Sequence, residues 1–293
     1  MTAIVSTAGS ASISRAKTRG KLIHSLLIAL SCLLGLVMAF PLYWLLRGAF
    51  VSHSEILARP PVFWPSIFNF DNFRLALGRI DFSRQLWNSV SIVVPYVIGN
   101  MITTSFAGYA FAKLRFPMRG IWFMLVISTM MLPSAVTLLP QYSLFTSLGL
   151  GGKTALIIPA FFCASGNAYF VFLLRQFFMT IPDELLEASK IDGAGYFKIY
   201  LKIMLPLIKP AMIVVALFSF INCWNDFFYT MIYLKTEADY TLPMGLYIVN
   251  GMRIPNYEQV MALAFIVTAP CLLFFFIGNK YFVEGITLTG IKG

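Results

Sequence analysis

The chain has 293 residues, of which 59% are hydrophobic and only 12% charged, and it carries a formal net charge of +10. A soluble domain holds about twice that charged fraction, and the apolar residues gather in blocks near the roughly 20 that one helix needs to cross a bilayer. This excludes a water-soluble globular enzyme and predicts an all-α polytopic membrane protein, with lipid as its main solvent and basic residues at membrane boundaries rather than on a nucleic-acid-binding face.

In chain order, residues 1–20 are small and polar with Arg15, Lys17 and Arg19, which reads as a flexible basic cytoplasmic tail ahead of a single membrane domain, 21–293. Six spans are predicted, near Leu22–Leu46, Val90–Ala112, Ile121–Leu139, Ala155–Leu174, Ala211–Leu234 and Val260–Gly278. The first is too long for a signal-peptide core and lacks a convincing cleavage site, so it reads as uncleaved. With six spans both termini share a side. Of the 22 Lys and Arg, 14 then fall on the terminus side and 8 on the other, the loop "KLRFPMR" giving the strongest single vote. Basic residues mark the cytoplasmic side, so both termini are expected there. The outer segments 51–85 and 235–258 are long, and the prolines and aromatics of "PPVFWPSIFNFDNF" suggest an ordered segment at the interface.

Cys32, Cys163, Cys223 and Cys271 each lie within an apolar run and no two form a CxxC, so they read as small buried hydrophobes rather than metal ligands or disulfides. "SLGLGGKT", 147–154, nearly spells a phosphate-binding loop, but Ser147 stands where the first glycine belongs and the segment joins two membrane spans. That loop needs a strand before it and a helix after it in a soluble α/β domain. A glycine turn with one lysine is the better reading.

The stretch "IPDELLEASKIDGAGYFKIYLKIMLPLIKP", 181–210, holds four acids between two apolar runs. Pro182 suits a first helical turn, and Asp183 and Glu184 favour the positive end of the helix dipole. Leu185, Leu186, Ala188 and Ile191 form a short apolar stripe. Asp192-Gly193 ends the helix, because glycine takes the left-handed conformation that reverses a chain. A second helix, about Tyr196–Met204, returns to the membrane at Pro206 and Pro210. From the residues alone this hairpin, about 181–206, is either a handle for transmitting force or a solvated connector resting on lipid headgroups.

"EASKIDGA" followed by "IMLP" resembles the signature of ABC importer permeases: Glu187, Ala188, Asp192, Gly193, Ala194, Ile203, Leu205 and Pro206 fit, and Ser189 replaces a customary alanine. "WNSV", "AGYAFAKLRFP", "MMLPSAVTLLPQYSLF", "WNDFF", "TLPMGLY" and "FVEGITLTGIKG" extend the likeness over nearly the whole chain. They resemble carbohydrate-importer permeases, and more closely the second permease subunit of maltose-type transporters. The resemblance implies a coupling hairpin docked on a cytoplasmic ATPase, a heterodimer with a second permease subunit, two ATPase subunits that bind ATP and Mg, and an external solute-binding protein that delivers a sugar. It implies no cofactor and no catalysis on this chain, and a location in the bacterial plasma (inner) membrane. Glu187 would pair with a base in the ATPase cleft, Ala188 and Ser189 would allow close approach, Gly193 would set the bend, and Leu205-Pro206 would fix the join to the next span. The tail "LTGIKG" would reach the ATPase interface.

Polar groups within spans are costly and face protein or water. Asn88, Asn167, Asn222, Trp224 and Asn225 are the candidates for a sugar path, since rings stack on sugar C–H faces and amides bond hydroxyls; for each, a role as glue between helices is the stronger reading. Ser89, Asn100 and Thr103 are further polar positions, and Asp226 reads as a packing anchor. A self-sufficient secondary transporter or channel is the competing class. It would show related halves and buried ionisable relays, and neither is evident. No Ser/His/Asp, metal or paired-carboxylate constellation points to a membrane enzyme.

Overall fold

The computed structural model describes residues 5–162, 167–252 and 255–290, with side chains placed for 20, 21 and 23–278 within those ranges. Among the described residues every regular element is helical and there is no strand. Helix α1 (Val5–Phe50) begins inside the segment read as a tail. Residues 5–20 contain no proline, so nothing in them stops a helix that the first span has already nucleated. The apolar residues of α1 from Ile23 to Leu46 are largely uncovered by the rest of the chain, and only its end, Arg47 to Phe50, packs inward. Lipid is the natural solvent for such a surface.

Two short helices, α2 (His53–Ile56) and α3 (Asp71–Leu77), order the first long loop. Asn72 fastens it, donating to the carbonyls of Ala49 (3.0 Å) and Val51 (2.8 Å) at the end of α1. α4 (Phe82–Lys113) follows as the central post, packed against later helices on two sides. Gly108 sits where a Cβ would lie 3.0 Å from Leu174 Cβ and 3.1 Å from the Arg175 nitrogen, so α4 closes on its neighbour only because that side chain is absent.

The third expected span is not straight. α5 (Arg119–Ser128) and a 3₁₀ turn at Thr129–Met131 meet α6 (Ser134–Ser147) at 105°. Pro133 forces the break, since the residue before a proline is driven out of the helical region, and Leu132 lies at φ −80°, ψ 117°. The fourth expected span is carried by two shorter helical stretches on either side of 163–166, which lie outside the described residues together with Cys163. These are α7 (Gly152–Ile157), continued as a 3₁₀ turn to Phe162, and α8 (Ala168–Thr180).

The hairpin then forms. α9 (Asp183–Ile191) ends at Gly193, whose φ is +78°. α10 (Tyr196–Ile199), a π turn (Tyr200–Met204) and α11 (Leu205–Leu207) make the return arm. It meets α12 (Lys209–Trp224) at 81°, where Ile208 leaves helical geometry. The fifth expected span, to Leu234, is interrupted: α12 stops at Trp224 and α13 (Phe228–Tyr233) restarts after three residues. In the second long loop, α14 (Leu242–Asn250) buries Leu242, Met244 and Val249, and α15 (Tyr257–Gly290) closes the fold. Among the described residues, three helices are long and apolar enough to cross a membrane alone, within α1, α4 and α15, and up to five crossings result if each bent pair counts as one. The expected six thus meet three continuous helices, two broken ones and a pair of short ones. Proline and the polar WND stretch break what hydropathy alone reads as continuous.

Candidate functional site

The hairpin is rooted in the bundle. Leu186, Ile199, Tyr200, Met204 and Ile208 share one buried cluster with Tyr109 of α4, with Phe170, Leu174 and Phe178 of α8, and with Ala211 and Val215 of α12. Ile199 and Met204 are fully buried. Two polar ties add to this. The Tyr200 hydroxyl lies 2.7 Å from Ser105 Oγ on α4. The buried Lys113 ammonium, at the end of α4, donates to the Ile181 carbonyl at 2.6 Å and pairs with the exposed Asp183 carboxylate. Lys113, beside Asp183, holds that carboxyl below its ordinary value.

The outer face of the hairpin is bare. Glu187, Ala188 and Asp192 are exposed, as are Ile191 (87%) and Phe197 (62%). A Cβ at Gly193 would meet nothing within 4 Å, so the glycine answers to its left-handed backbone and not to crowding. Ser189 points the other way: it is 9% exposed and its hydroxyl donates to the Leu185 carbonyl at 2.6 Å. Its small side chain therefore packs within the chain. Leu205 is half-buried against the cluster and Pro206 is exposed at the start of α11. Of "LTGIKG", residues 291–293 lie outside the described residues, as do the side chains of 288–290.

A second feature is a cavity of about 770 Å³ lined by residues of α4, α6, α7, α8, α12 and α13. That is within the range of small-molecule clefts, about 300–1,000 Å³. Of the five candidates for a sugar path, Asn167 and Asn222 line it and three do not. Asn88 is spent elsewhere: its Nδ2 donates to the carbonyls of Ala238 (2.8 Å) and Tyr240 (3.0 Å), and its Oδ1 accepts from Lys153 Nζ at 2.7 Å. The lysine of the glycine turn, which also reaches Ser91 Oγ at 3.2 Å, is thus a structural donor. Trp224 is buried, stacks on Phe220 and donates its indole N–H to the Val267 carbonyl at 2.9 Å. Asn225 caps the end of α12, its backbone and side chain both donating to the Ile221 carbonyl. These three are fastenings.

The cavity has walls that the sequence reading passed over: Tyr96, Tyr169 and Tyr229, and the polar set Ser134, Thr137 and Gln141 on α6. That set was visible as residues i, i+3 and i+7, a polar stripe on one helical face. Asp226 also reaches the cavity, from the break between α12 and α13. Asn167 is 2% exposed, and its Nδ2 has no hydrogen-bond partner among the described residues. Buried amides without a partner are few in folded proteins, and this one belongs to the cavity wall. The arrangement offers hydroxyls, amides and aromatic rings to a polar solute.

Residues 103–287 match the family described as binding-protein-dependent transport system inner membrane component. The arabinooligosaccharides transport system permease protein AraQ of Halalkalibacterium halodurans is 31% identical over 265 residues, covering 88% of this chain and 92% of that protein. The sn-glycerol-3-phosphate transport system permease protein UgpE of Brucella abortus is 30% identical, covering 87% and 92%. A chain in the crystal structure of a bacterial ABC transporter for import of the acidic polysaccharide alginate superposes with a TM-score of 0.78 at 22% identity, covering 92% of this chain and 98% of its own, a likeness of fold. With its broken spans, rooted hairpin and polar cavity, this multi-pass membrane chain belongs to the family of inner membrane components of binding-protein-dependent transport systems.

Proposed function

We propose that the chain is one of two permease subunits of an ATP-driven carbohydrate importer, with both termini in the cytoplasm of a bacterial cell and the 181–206 hairpin as the element gripped by an ATPase. The second permease subunit is a different polypeptide. Two cytoplasmic ATPase subunits bind ATP and Mg, and an external solute-binding protein delivers the sugar into the cavity. The observation that carries this reading is the two-faced hairpin: its inner face shares a core with α4, α8 and α12, while its outer face, with Glu187, Ala188, Ile191 and Asp192, is uncovered. A load applied to the outer face must move the bundle, because packed cores switch between discrete arrangements and do not deform smoothly. The name of AraQ, a permease of an arabinooligosaccharides transport system, and the cavity's amides, hydroxyls and rings support a carbohydrate.

Gly193→Asp tests the reading. The new side chain has open space, so the change costs about 1–2 kcal/mol of backbone strain and leaves insertion intact. The full complex, reconstituted in vesicles with its binding protein, should retain ATP hydrolysis while uptake falls by about tenfold or more, the loss that follows from about 1.4 kcal/mol of coupling. Uptake at the unsubstituted level would remove the hairpin from the coupling route.

A further inference from the structure

We infer that the segment 57–70 is a lipid anchor: Phe63, Trp64, Ile67, Phe68 and Phe70 lie in the bilayer where acyl chains meet headgroups, beside the C-terminal end of α1. This needs only that α1 spans the membrane, and it stands whether or not the cavity is a solute path. The five side chains are 46–78% exposed among the described residues. Within 57–70 the one charged residue is Arg59, and there is no acid. A bare apolar patch of this kind marks a contact with membrane or protein, since water does not favour it.

The segment is fastened to α1 at two levels. At the end of the helix, the Asn69 N–H donates to the Phe50 carbonyl at 2.8 Å, and the Phe50 ring meets Phe68 (5.6 Å) and Phe70 (5.2 Å) edge-on. Further back along α1, the Tyr43 hydroxyl donates to the Phe63 carbonyl, and the Trp44 ring meets Phe63 edge-on at 5.9 Å. Glu55 clamps the approach to this segment, its carboxylate accepting from the Ser52 and Ser66 N–H groups, each at 2.9 Å.

The depth follows from α1. Its apolar stretch Ile23–Phe50 has 28 residues, about 42 Å at roughly 1.5 Å per residue. That equals a bilayer with its headgroups, about 40–45 Å, whereas the hydrocarbon alone is about 30 Å. Tyr43 and Trp44 lie about 10 Å short of Phe50 along the axis, at the border of the hydrocarbon, and the segment reaches back to them. It goes no deeper, because Pro60, Pro61 and Pro65 deny it a regular helix, and non-helical backbone open to lipid is not tolerated in the hydrocarbon. At headgroup depth water still reaches its free amides, and tryptophan is enriched there in membrane proteins. The patch continues the uncovered apolar face of α1, so one lipid surface covers both. Just ahead of the segment, His53 Nδ1 lies 3.1 Å from the Glu258 carboxylate at the start of α15, so the anchor holds the ends of two long helices at one level.

The test uses the assembled transporter, permease pair with ATPases, in lipid nanodiscs without a solute-binding protein. With native cysteines replaced by serine, a nitroxide is attached at Ile67→Cys. Its collision rates are measured with oxygen, which concentrates in lipid, and with a neutral nickel chelate, which stays in water. Oxygen collisions should exceed nickel collisions several-fold. An excess of nickel collisions would put the segment in water, and low rates with both would put it under another subunit; either result overturns the anchor. A second measurement leaves the cysteines in place. In nanodiscs whose lipids are brominated near the headgroup end of the acyl chains, Trp64→Phe should lower the quenched share of tryptophan emission. An unchanged share overturns the anchor even where the labelled transporter fails to assemble.

Discussion

The two ends of this bundle are built on opposite rules. Around the hairpin, Phe178, Leu174, Ile199 and Met204 form a buried apolar core, and the polar contacts there, Lys113 with Asp183 and Tyr200 with Ser105, are ties between elements. Around the cavity, Asn167, Asn222, Asp226 and the α6 stripe leave a volume of about 770 Å³ open to a polar solute. On the proposed function, the packed end is the one that is pushed and the hollow end is the one through which solute passes. The same helices, α4, α8 and α12, serve both ends, so motion imposed on the first reaches the second through continuous helical backbone.

The largest effect should come from cutting the stiff end. Met204 is fully buried between the return arm of the hairpin and the bundle. Met204→Ala removes packing that relaxation does not refill, at about 2–5 kcal/mol. The thermal midpoint of the solubilised complex should fall, and uptake should fall with it. The matched cut at the hollow end is Asn222→Ala. Asn222 is exposed on the cavity wall, so stability should stay within about 0.5 kcal/mol of the parent and the midpoint should barely move. Uptake should drop about tenfold, the value of one lost hydrogen bond to the sugar. If both variants lower stability alike, the two ends are not built differently and the comparison fails.

A middle-sized effect separates the path from its fastenings. Asn88 holds two carbonyls of the second long loop and the Lys153 ammonium. Asn88→Ala strips these partners, and each buried group left unsatisfied costs about 1–3 kcal/mol. The variant should be less stable, yet the transporter that survives should keep its apparent affinity for the sugar. A changed affinity at unchanged stability would place Asn88 in the path after all.

How much of this was legible in the sequence follows from what each feature depends on. The hairpin depends on local chemistry: Pro182, the acids after it and Asp192-Gly193 dictate a start, a stripe and a reversal within a dozen residues, and the bend falls at Gly193 with φ +78°. The cavity depends on which face of each helix turns inward. Asn222 and Asn225 are three residues apart in one polar stretch, yet one lines the cavity and the other caps α12. Nothing local distinguishes them, because the difference is made where α12 stops. Ser189 shows the same limit, a small residue on the hairpin whose inward direction only the tertiary packing decides. The α6 stripe was legible and was missed, since a run ending in Ser-Ala-Val-Thr-Leu-Leu-Pro-Gln reads as membrane by its mean hydropathy while its polar residues share one face.

The smallest effect sharpens the comparison with pH. Lys113 holds the Asp183 carboxyl below the ordinary aspartate value of 3.8. A carboxyl with a depressed pKa stabilises the folded state fully above its unfolded value, and that contribution disappears as the pH falls through the folded one. The tie between α4 and the hairpin should therefore be intact at neutral pH and loosen only below about 3.8. Asp183 is 73% exposed, so solvent screens the pair and the contribution is modest. Hydrogen exchange of the α9 amides should show the parent protein losing protection as the pH drops below that value. Lys113→Ala should show the looser level already at neutral pH, with little further change in acid. Among the described residues the cavity wall has no such ion pair, and its α8 and α12 amides should respond equally in both proteins. If instead α9 in Lys113→Ala still loosened in acid as the parent does, another acid would be holding the hairpin to the bundle, and the buried lysine would be packing without fastening.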